Sequence, residues 1–382
     1  DEQTATNHLD YAKGNVTYLS RAGHFANYEE SIAGPTDFTM PEEAKENYAS
    51  VVTFDASKYD DADAQMPTTG ANNGLKFQDM AGVDYDDEKW DSLLDQLTID
   101  ELKELAGNGT FHVVATSSIN LPYIYETDGP TAVNSFFTGK FGTAFPAPIM
   151  VASTWSKELA GRFRTCIGNE LCDFGFTGWY GPGMNIHRNP LCGRNFEYYS
   201  EDPYLTGRCA AADTLGVQSI DGQGTTIKHF AANNQEDNRN YTNAHISERA
   251  LREIYLRGFE IAVKEAHPYS IMTSYNLING IHSANRHDML QVAAREEWGF
   301  DGFVMTDWYA TQDTSIMGQA PDKYTWASAK QAIHAGNDML MPGCALNVED
   351  LIQGTEEGTE MILADLQHCV KNILSIGLRT MK

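Results

Sequence analysis

The stretch that decides the fold is Gly302-Phe303-Val304-Met305-Thr306-Asp307-Trp308. Its apolar residues predict a short buried strand that ends in a carboxylate beside an indole. In α/β barrels and open parallel sheets, the carboxyl ends of the strands carry the chemistry. Taken alone, Asp307 is more simply explained as a cap of the following turn. Its interpretation therefore depends on the residues at the ends of the other strands.

Apolar segments of strand length alternate with helical stretches through most of the chain. The predicted strands are Tyr123–Glu126, Ala147–Ala152, Gly178–Ile186, Thr225–Phe230, Ser270–Tyr275, Phe303–Thr306 and Asp338–Met341. The predicted helices are Lys157–Asp173, Leu205–Ser219, Ser247–Ala266, Arg286–Trp298, Trp326–Ala335 and Met361–Ile376. Seven or eight such units over roughly 270 residues predict an α/β fold of the (β/α)8 TIM type. No G-x-G-x-x-G motif opens a helix after the first strand, which argues against a dinucleotide fold.

The N-terminal part of the chain has a different character. Residues 1–70 contain few apolar patches and include the acidic run Asp60-Asp61-Ala62-Asp63. This composition is typical of an extended arm, a linker or the tail of a preceding domain. Further on, Thr98 and Asp100 predict a break between two short helices. We therefore predict an irregular extension over 1–70 and a barrel over 71–382.

The composition excludes several classes of partner. The formal net charge is −26, with 53 acidic and 27 basic side chains, so the surface repels nucleic-acid backbones. The sequence has no apolar run of about 20 residues, so we predict no membrane span.

The six cysteines form no C-x-x-C pair, and the acids and histidines lack metal-binding spacing, so we predict neither metal nor cofactor. Cysteine usage favours the cytoplasm, and secretion with a removed leader is the alternative.

Polar side chains lie at the ends of most of the predicted strands, and in a barrel they would meet at one mouth. They are Asp128, Arg194, Lys228, His229, Tyr275, Asp307 and Trp308. Arg194 has a simpler explanation, a pairing with Glu197 or Glu201 within its loop. Lys228 is harder to explain structurally, because a buried cation needs a partner. As neighbours in a strand, Lys228 and His229 should face opposite sides.

The chemistry of this set suits a sugar. Charged groups can hold vicinal hydroxyls, while Trp and Tyr rings pack against the C–H faces of a pyranose. Cations near Asp307 should keep its carboxylate ionised, as a nucleophile requires. The charged run Glu236–Arg239 is most simply a solvated loop.

Five motifs in order give the chain a family resemblance. They are Thr127-Asp128-Gly129-Pro130, Gly193-Arg194 through Glu201-Asp202-Pro203, Lys228-His229-Phe230, Met272-Thr273-Ser274-Tyr275-Asn276 and Val304-Met305-Thr306-Asp307-Trp308. From about Leu97 to Leu378 the chain resembles the catalytic barrel of glycoside hydrolase family 3, in its β-glucosidase-like branch.

The resemblance implies roles for individual residues. Asp307 matches the nucleophile of a retaining mechanism with a covalent glycosyl-enzyme. Asp128, Arg194, Lys228 and His229 match groups that hydrogen-bond the innermost sugar. Tyr275 matches the residue that orients the nucleophile, Trp308 the aromatic beside it, and Met272 a residue lining the pocket.

The implied substrate is a terminal β-linked glucose, or a related sugar, of a glucoside or oligosaccharide. Alternatives are a β-xylosidase, a β-N-acetylhexosaminidase or a non-catalytic carbohydrate-binding barrel. The continuation Phe230-Ala231-Ala232-Asn233-Asn234 departs from the hexosaminidase pattern and disfavours that branch.

The resemblance leaves the acid/base unassigned. The β-glucosidase branch takes this Glu from an α/β sandwich domain after the barrel, and this chain ends at Lys382. The segment Val16–Arg21 resembles the tail of domain-reversed members, in which the sandwich comes first. We therefore expect the acid/base outside this chain, on a sandwich domain or a second polypeptide. The oligomeric state is left open between a monomer and a homo-oligomer. Glu201 and Glu236 do not match the pattern for this role.

Overall fold

The computed structural model describes residues 21–29, 56–318, 324–357 and 361–381. The chain divides into two compact units, Asp1–Ser50 and Val51–Lys382. In the first unit, residues 21–27 form successive turns, in which the His24 N–H donates to Arg21 O at 3.0 Å. Most of the predicted domain-reversed tail lies outside the described residues. Residues 56–70 belong to the second unit, and the extended arm over 1–70 stays a prediction.

The second unit alternates strands and helices. The strands are β1 (His112–Val113), β2 (Ile124–Asp128), β3 (Asn134–Ser135), β4 (Lys140–Phe141), β5 (Gly178–Tyr180), β6 (Gly224–Phe230), β7 (Asn243–Ala244), β8 (Ser270–Thr273), β9 (Leu277–Ile278), β10 (Ile281–His282) and β11 (Phe303–Met305). The α-helices are α1 (Lys89–Leu94), α2 (Ile99–Gly107), α3 (Pro148–Ala152), α4 (Lys157–Phe174), α5 (Pro203–Gln218), α6 (Glu248–Ala250), α7 (Arg257–Ala266), α8 (Ala329–His334), α9 (Ala345–Glu357) and α10 (Leu363–Thr380). Leu251–Tyr255 and Asp288–Glu297 are π-helical.

A ring of parallel strands forms the centre of this unit. Strands β2, β5, β6, β8 and β11 pair in that order, each parallel to the next. Backbone hydrogen bonds close the ring: Asp338 N to Val304 O at 2.8 Å, Leu340 N to Ala106 O at 2.7 Å, and Glu126 N to Phe111 O at 2.9 Å. The fold is therefore the predicted TIM-type barrel. Strand β1 departs from the all-parallel pattern, because it runs antiparallel to β2.

The predicted break between the first two helices is confirmed. Thr98 is the N-cap of α2, and its hydroxyl accepts the Glu101 N–H at 3.2 Å. The Glu101 carboxylate in turn accepts the Thr98 N–H at 2.9 Å. This reciprocal capping satisfies two N–H groups that the helix cannot satisfy itself, and so fixes where α2 begins.

Two of the predicted strands need correction. Ala147–Ala152 is not a strand but contains helix α3, which begins at Pro148. Proline suits the first turn of a helix and cannot donate to a sheet ladder, which explains the difference. Asp338–Met341 lies in the ring but pairs with β11 through a single bridge, Met305 to Met339.

Three further features complete the description of the fold. No helix in the described parts of the chain is long and apolar enough to cross a membrane. All six cysteines are free thiols. A hairpin, β3 and β4, comes directly after β2 at the carboxyl end of the barrel strands, with Asn134 paired to Asp128.

Candidate active site

Asp307 lies just beyond the end of β11, at the mouth of the barrel. The strand end is held because Thr306 Oγ1 accepts the Met341 N–H at 2.8 Å. Asp307 is only 6 % exposed, and its Oδ1 accepts the Trp308 N–H at 2.7 Å. Its Oδ2 is buried and lies 3.5 Å from His229 Nε2, and the Tyr275 hydroxyl is within hydrogen-bonding reach of the carboxylate. One carboxylate oxygen is therefore fixed by the backbone, and the other faces the site.

Lys228 and Asp128 form an ion pair between the tips of β6 and β2. The Lys228 Nζ lies 2.7 Å from Asp128 Oδ1, and the Lys228 side chain is buried. Although desolvation at the mouth works against it, the adjacent ammonium lowers the pKa of Asp128 below its usual value. Asp128 is therefore the partner that the buried Lys228 requires.

His229 is held in one tautomer by Arg194. The Arg194 Nη2 lies 2.8 Å from His229 Nε2, and Arg194 Nε bonds Glu197. Because a guanidinium can only donate, Nε2 accepts and the ring proton sits on Nδ1, which lies 3.1 Å from Tyr198 Oη. Burial, reinforced by the charge of Arg194, lowers the pKa of His229 well below its usual value. A neutral imidazole therefore faces Asp307.

The structure corrects the predicted arrangement of Lys228 and His229. Both side chains reach the site, although a regular strand would have sent them to opposite faces. The ladder between β6 and β8 shifts register between Lys228 and Phe230, which ends the alternation of side chains. Asn185 holds the irregular backbone, since its Oδ1 accepts the His229 N–H at 2.9 Å and its Nδ2 donates to His229 O at 2.8 Å.

Arg239 is a residue of the site that the sequence did not indicate. Its guanidinium carbon lies 4.1 Å from the centre of the Tyr275 ring, and its Nη1 donates to Glu236 Oε2 at 2.8 Å. Tyr275 is buried, and burial with the charge of Asp307 raises its pKa well above its usual value. The prediction of a solvated charged loop therefore holds only in part for Arg239, whose side chain is 36 % exposed and also reaches the site. Nothing in a run of four polar residues shows which one turns inward.

Burial and three cations act on Asp307 in opposite directions. Burial raises the pKa of Asp307 above its usual value, while Arg194, Lys228 and Arg239 work against this rise. The expectation from the sequence considered only the effect of neighbouring cations on the ionisation of Asp307. It left out this desolvation. The carboxylate is consequently more basic than an exposed aspartate.

The two remaining predicted residues lie beside this group. Trp308 is partly buried, and its ring centre is 4.8 Å from that of Phe111. Met272 is buried in β8, paired in register with Lys228 on one side and Met305 on the other. The structure thus brings all eight predicted residues to one end of the barrel. In the parts of the chain that the structure describes, no cluster of three or more His, Cys, Asp or Glu side chains could hold a metal ion.

Known proteins share this sequence and fold. The family described as glycosyl hydrolase family 3 N-terminal domain matches residues 94–376. A β-glucosidase of Ruminococcus albus is 43 % identical over 257 residues, covering 66 % of this chain and 26 % of that protein. An exo-α-(1→6)-L-arabinopyranosidase of Bifidobacterium longum is 45 % identical over 268 residues, covering 66 % of this chain and 35 % of that protein.

Solved structures agree with the sequence matches. The β-glucosidase 3B of Thermotoga neapolitana, in complex with glucose, superimposes with a TM-score of 0.67 at 40 % identity, over 76 % of this chain and 43 % of that one. A β-glucosidase of Paenibacillus barengoltzii gives a TM-score of 0.74 at 34 % identity, over 86 % and 37 %. The present chain spans about a third of the length of the curated relatives it matches. The chain belongs to glycoside hydrolase family 3, and residues 94–376 correspond to the N-terminal domain of that family.

Proposed function

We propose that this chain carries the nucleophile and the sugar-binding groups of a retaining glycosidase that releases a terminal β-linked glucose or a related sugar. The observation that carries the proposal is the environment of Asp307 Oδ2. This oxygen is buried at the mouth of the barrel, beside Tyr275 and under the charges of Arg194, Lys228 and Arg239. An ionisable oxygen of this kind suits attack on an electrophilic carbon.

The reaction proceeds through two displacements at the anomeric carbon. In the first, Asp307 Oδ2 forms a bond to C1 while the bond from C1 to the leaving oxygen breaks, and that oxygen takes a proton from an acid. In the second, water loses a proton to the same group and attacks C1, which frees Asp307 and releases the sugar with retained configuration. The Trp308 N–H keeps Oδ1 in place through both steps.

The other site residues hold the sugar. Asp128 accepts hydrogen bonds from hydroxyls, Lys228 and Arg194 donate to them, and neutral His229 holds Arg194 in position. Tyr275, held under Arg239, is within hydrogen-bonding reach of Asp307 and so limits the rotation of that carboxylate. Met272 and Trp308 provide apolar surface for the C–H faces of the ring.

We propose that the general acid comes from a sandwich domain or a second polypeptide. Glu236 is engaged by Arg239 at 2.8 Å and by Asn233 at 3.1 Å, an arrangement that suits a carboxylate rather than a proton donor. Glu201 is exposed in its loop, where its carboxylate accepts the Ser200 hydroxyl at 3.3 Å.

A second candidate substrate class comes from the relatives. One of them is an exo-α-(1→6)-L-arabinopyranosidase at 45 % identity, so a terminal arabinopyranose is the alternative to glucose. Parallel assays with aryl glycosides of the two sugars, and of xylose, separate these candidates.

The free cysteines favour a reducing compartment for the protein.

Covalent labelling tests the proposal directly. The chain is incubated with a 2-fluoro-glucoside that carries a good leaving group, and its intact mass and peptides are then measured. We expect one added fluoroglucosyl group on Asp307, because an activated leaving group departs without help from a general acid. Binding of the reagent without an adduct would favour a non-catalytic carbohydrate-binding barrel instead.

A further inference from the structure

A chain of aromatic rings leads from the nucleophile to the surface. Trp308, whose N–H holds Asp307, lies 4.8 Å from Phe111 between ring centres. Phe111 in turn lies 5.5 Å from Phe137 and 6.2 Å from Phe136, and these two phenylalanines are 4.5 Å apart. Phe137 also faces Trp308 directly, at 6.2 Å and with an angle of 25° between the rings. The rings therefore form one continuous apolar surface beside the carboxylate.

The outer end of this surface is open to solvent. Phe136 is 62 % exposed and Phe137 is 61 % exposed, both at the tip of the hairpin formed by β3 and β4. Exposure of two adjacent large apolar side chains costs free energy, because their surface orders water without packing in return. Since the hairpin comes after β2 at the carboxyl end of the barrel, its tip stands at the mouth.

Three polar side chains of the hairpin are engaged in contacts within the protein. Lys140 bonds the carbonyl oxygen of Phe174 and lies over the Phe176 ring. The Thr138 hydroxyl donates to Ser135 Oγ at 2.8 Å. The tip thus presents aromatic faces, whereas the sugar-binding groups lie deeper, around the pair formed by Lys228 and Asp128.

We propose that Phe136 and Phe137 form a platform for the leaving group of the substrate, and that the platform favours aglycones with a planar aromatic face. The inference rests on the proposed function, because it names what leaves when Asp307 attacks. We use the term aromatic platform for Phe136, Phe137 and the partly buried Trp308.

The geometry decides how an aglycone lies on the platform. A ring sandwiched between two others needs about 7 Å between the outer rings, twice the usual carbon–carbon contact distance. Phe137 and Trp308 are closer than this, so the aglycone lies across their outer faces. Phenylalanine offers no hydrogen bond, which favours an aromatic aglycone over one covered with hydroxyls.

The test compares two activated reagents that need no acid. One is the dinitrophenyl 2-fluoro-glucoside, and the other is the 2-fluoro-glucosyl fluoride, which has no aromatic leaving group. In both, Asp307 Oδ2 bonds to C1 as the leaving anion departs. In the variant F136A/F137A we expect the second-order rate constant of labelling by the aryl reagent to fall roughly ten-fold. Labelling by the fluoride should stay within two-fold, on the order of experimental scatter.

Two further variants sharpen the comparison. Phe141→Ala removes an equally exposed phenylalanine, 62 % exposed, from the same hairpin and should leave both rate constants unchanged. Phe137→Leu keeps an apolar side chain but loses the flat ring, and should show most of the loss seen with alanine. Circular dichroism and thermal unfolding establish that each variant is folded.

The outcomes separate the platform from the nucleophile. Selective loss with the aryl reagent supports the platform. Equal labelling of wild type and F136A/F137A by both reagents, or equal loss with both, overturns it and leaves the assignment of Asp307 in place. If neither reagent labels the wild-type chain, the proposed function is overturned, and the aromatic platform with it.

Discussion

The Lys228 ammonium is 2.7 Å from the Asp128 carboxylate, and the two partners differ in exposure: 3 % of the Lys228 side chain is accessible, against 42 % of Asp128. The pair joins strands β6 and β2 across the mouth of the barrel. A buried cation depends on its partner far more than a half-exposed anion does. The two ends of this ion pair are therefore not equivalent.

This asymmetry predicts that Asp128→Ala destabilises the protein more than Lys228→Met. Removing Asp128 leaves a buried charge unpaired and should lower the free energy of unfolding by roughly 3 kcal/mol. Removing Lys228 leaves a carboxylate that water can reach, and should cost roughly 1 kcal/mol. Asp128→Asn keeps an acceptor oxygen and should fall between the two. Denaturant unfolding measures all three, and equal losses for Asp128→Ala and Lys228→Met would contradict the argument.

Asp307→Asn should separate stability from chemistry. The amide keeps the size of the carboxylate but cannot attack, so glycosidase turnover and covalent labelling should fall by roughly a thousand-fold or more. Because burial raises the pKa of Asp307, the ionised carboxylate opposes folding at neutral pH, and the amide should not lower the melting temperature there. Calorimetry beside the labelling assay checks both parts. Normal turnover by a correctly folded Asp307→Asn protein would remove the assignment.

Glu126 gives the barrel a built-in pH dependence. It is buried two residues before Asp128, and Tyr180 Oη donates to its Oε2 at 2.8 Å. A Cβ at Gly178 would lie 2.7 Å from Glu126 Oε1, so the neighbouring strand makes room for the carboxyl only with glycine at that position. Burial raises the pKa of Glu126 to about 7 despite the hydrogen bond from Tyr180.

The sign of this dependence is set by proton binding. The pKa of Glu126 is near 4.5 in the unfolded state and about 7 in the folded state, so the folded state binds the proton more tightly. The stability that Glu126 contributes is therefore fully present below pH 4.5. It is lost as the pH rises through the folded-state pKa, by roughly 3 kcal/mol in total. Glu126→Gln should abolish this part of the pH profile in denaturant unfolding. Tyr180→Phe, which removes the hydrogen bond that lowers the pKa, should extend it to higher pH.

Local patterns explain what could be predicted from the sequence. The strand ending at Asp307 and the helix start at Thr98 depend on residues adjacent in the chain. Most of what was missed from the sequence involves information that adjacent residues do not carry. The inward turn of Arg239 depends on the Tyr275 ring, and the bond between Glu126 and Tyr180 joins residues 54 positions apart. Proline at position 148 is the one local signal that the strand prediction did not use.

Arg239 should set the acidic limit of the reaction. In the proposed mechanism Asp307 attacks only when ionised, and the charge of Arg239 favours the ionised form. Arg239→Gln removes that charge, so the pKa of Asp307 should rise and the acidic limb of kcat/KM for a dinitrophenyl glucoside should move to higher pH by roughly one unit. Arg252→Gln is the matched control, because Arg252 pairs with Glu248 and Glu297 on the surface and should leave the limb in place. If Arg239→Gln lowered kcat/KM equally at every pH, the residue would act by holding Tyr275 in position rather than through its charge on the nucleophile.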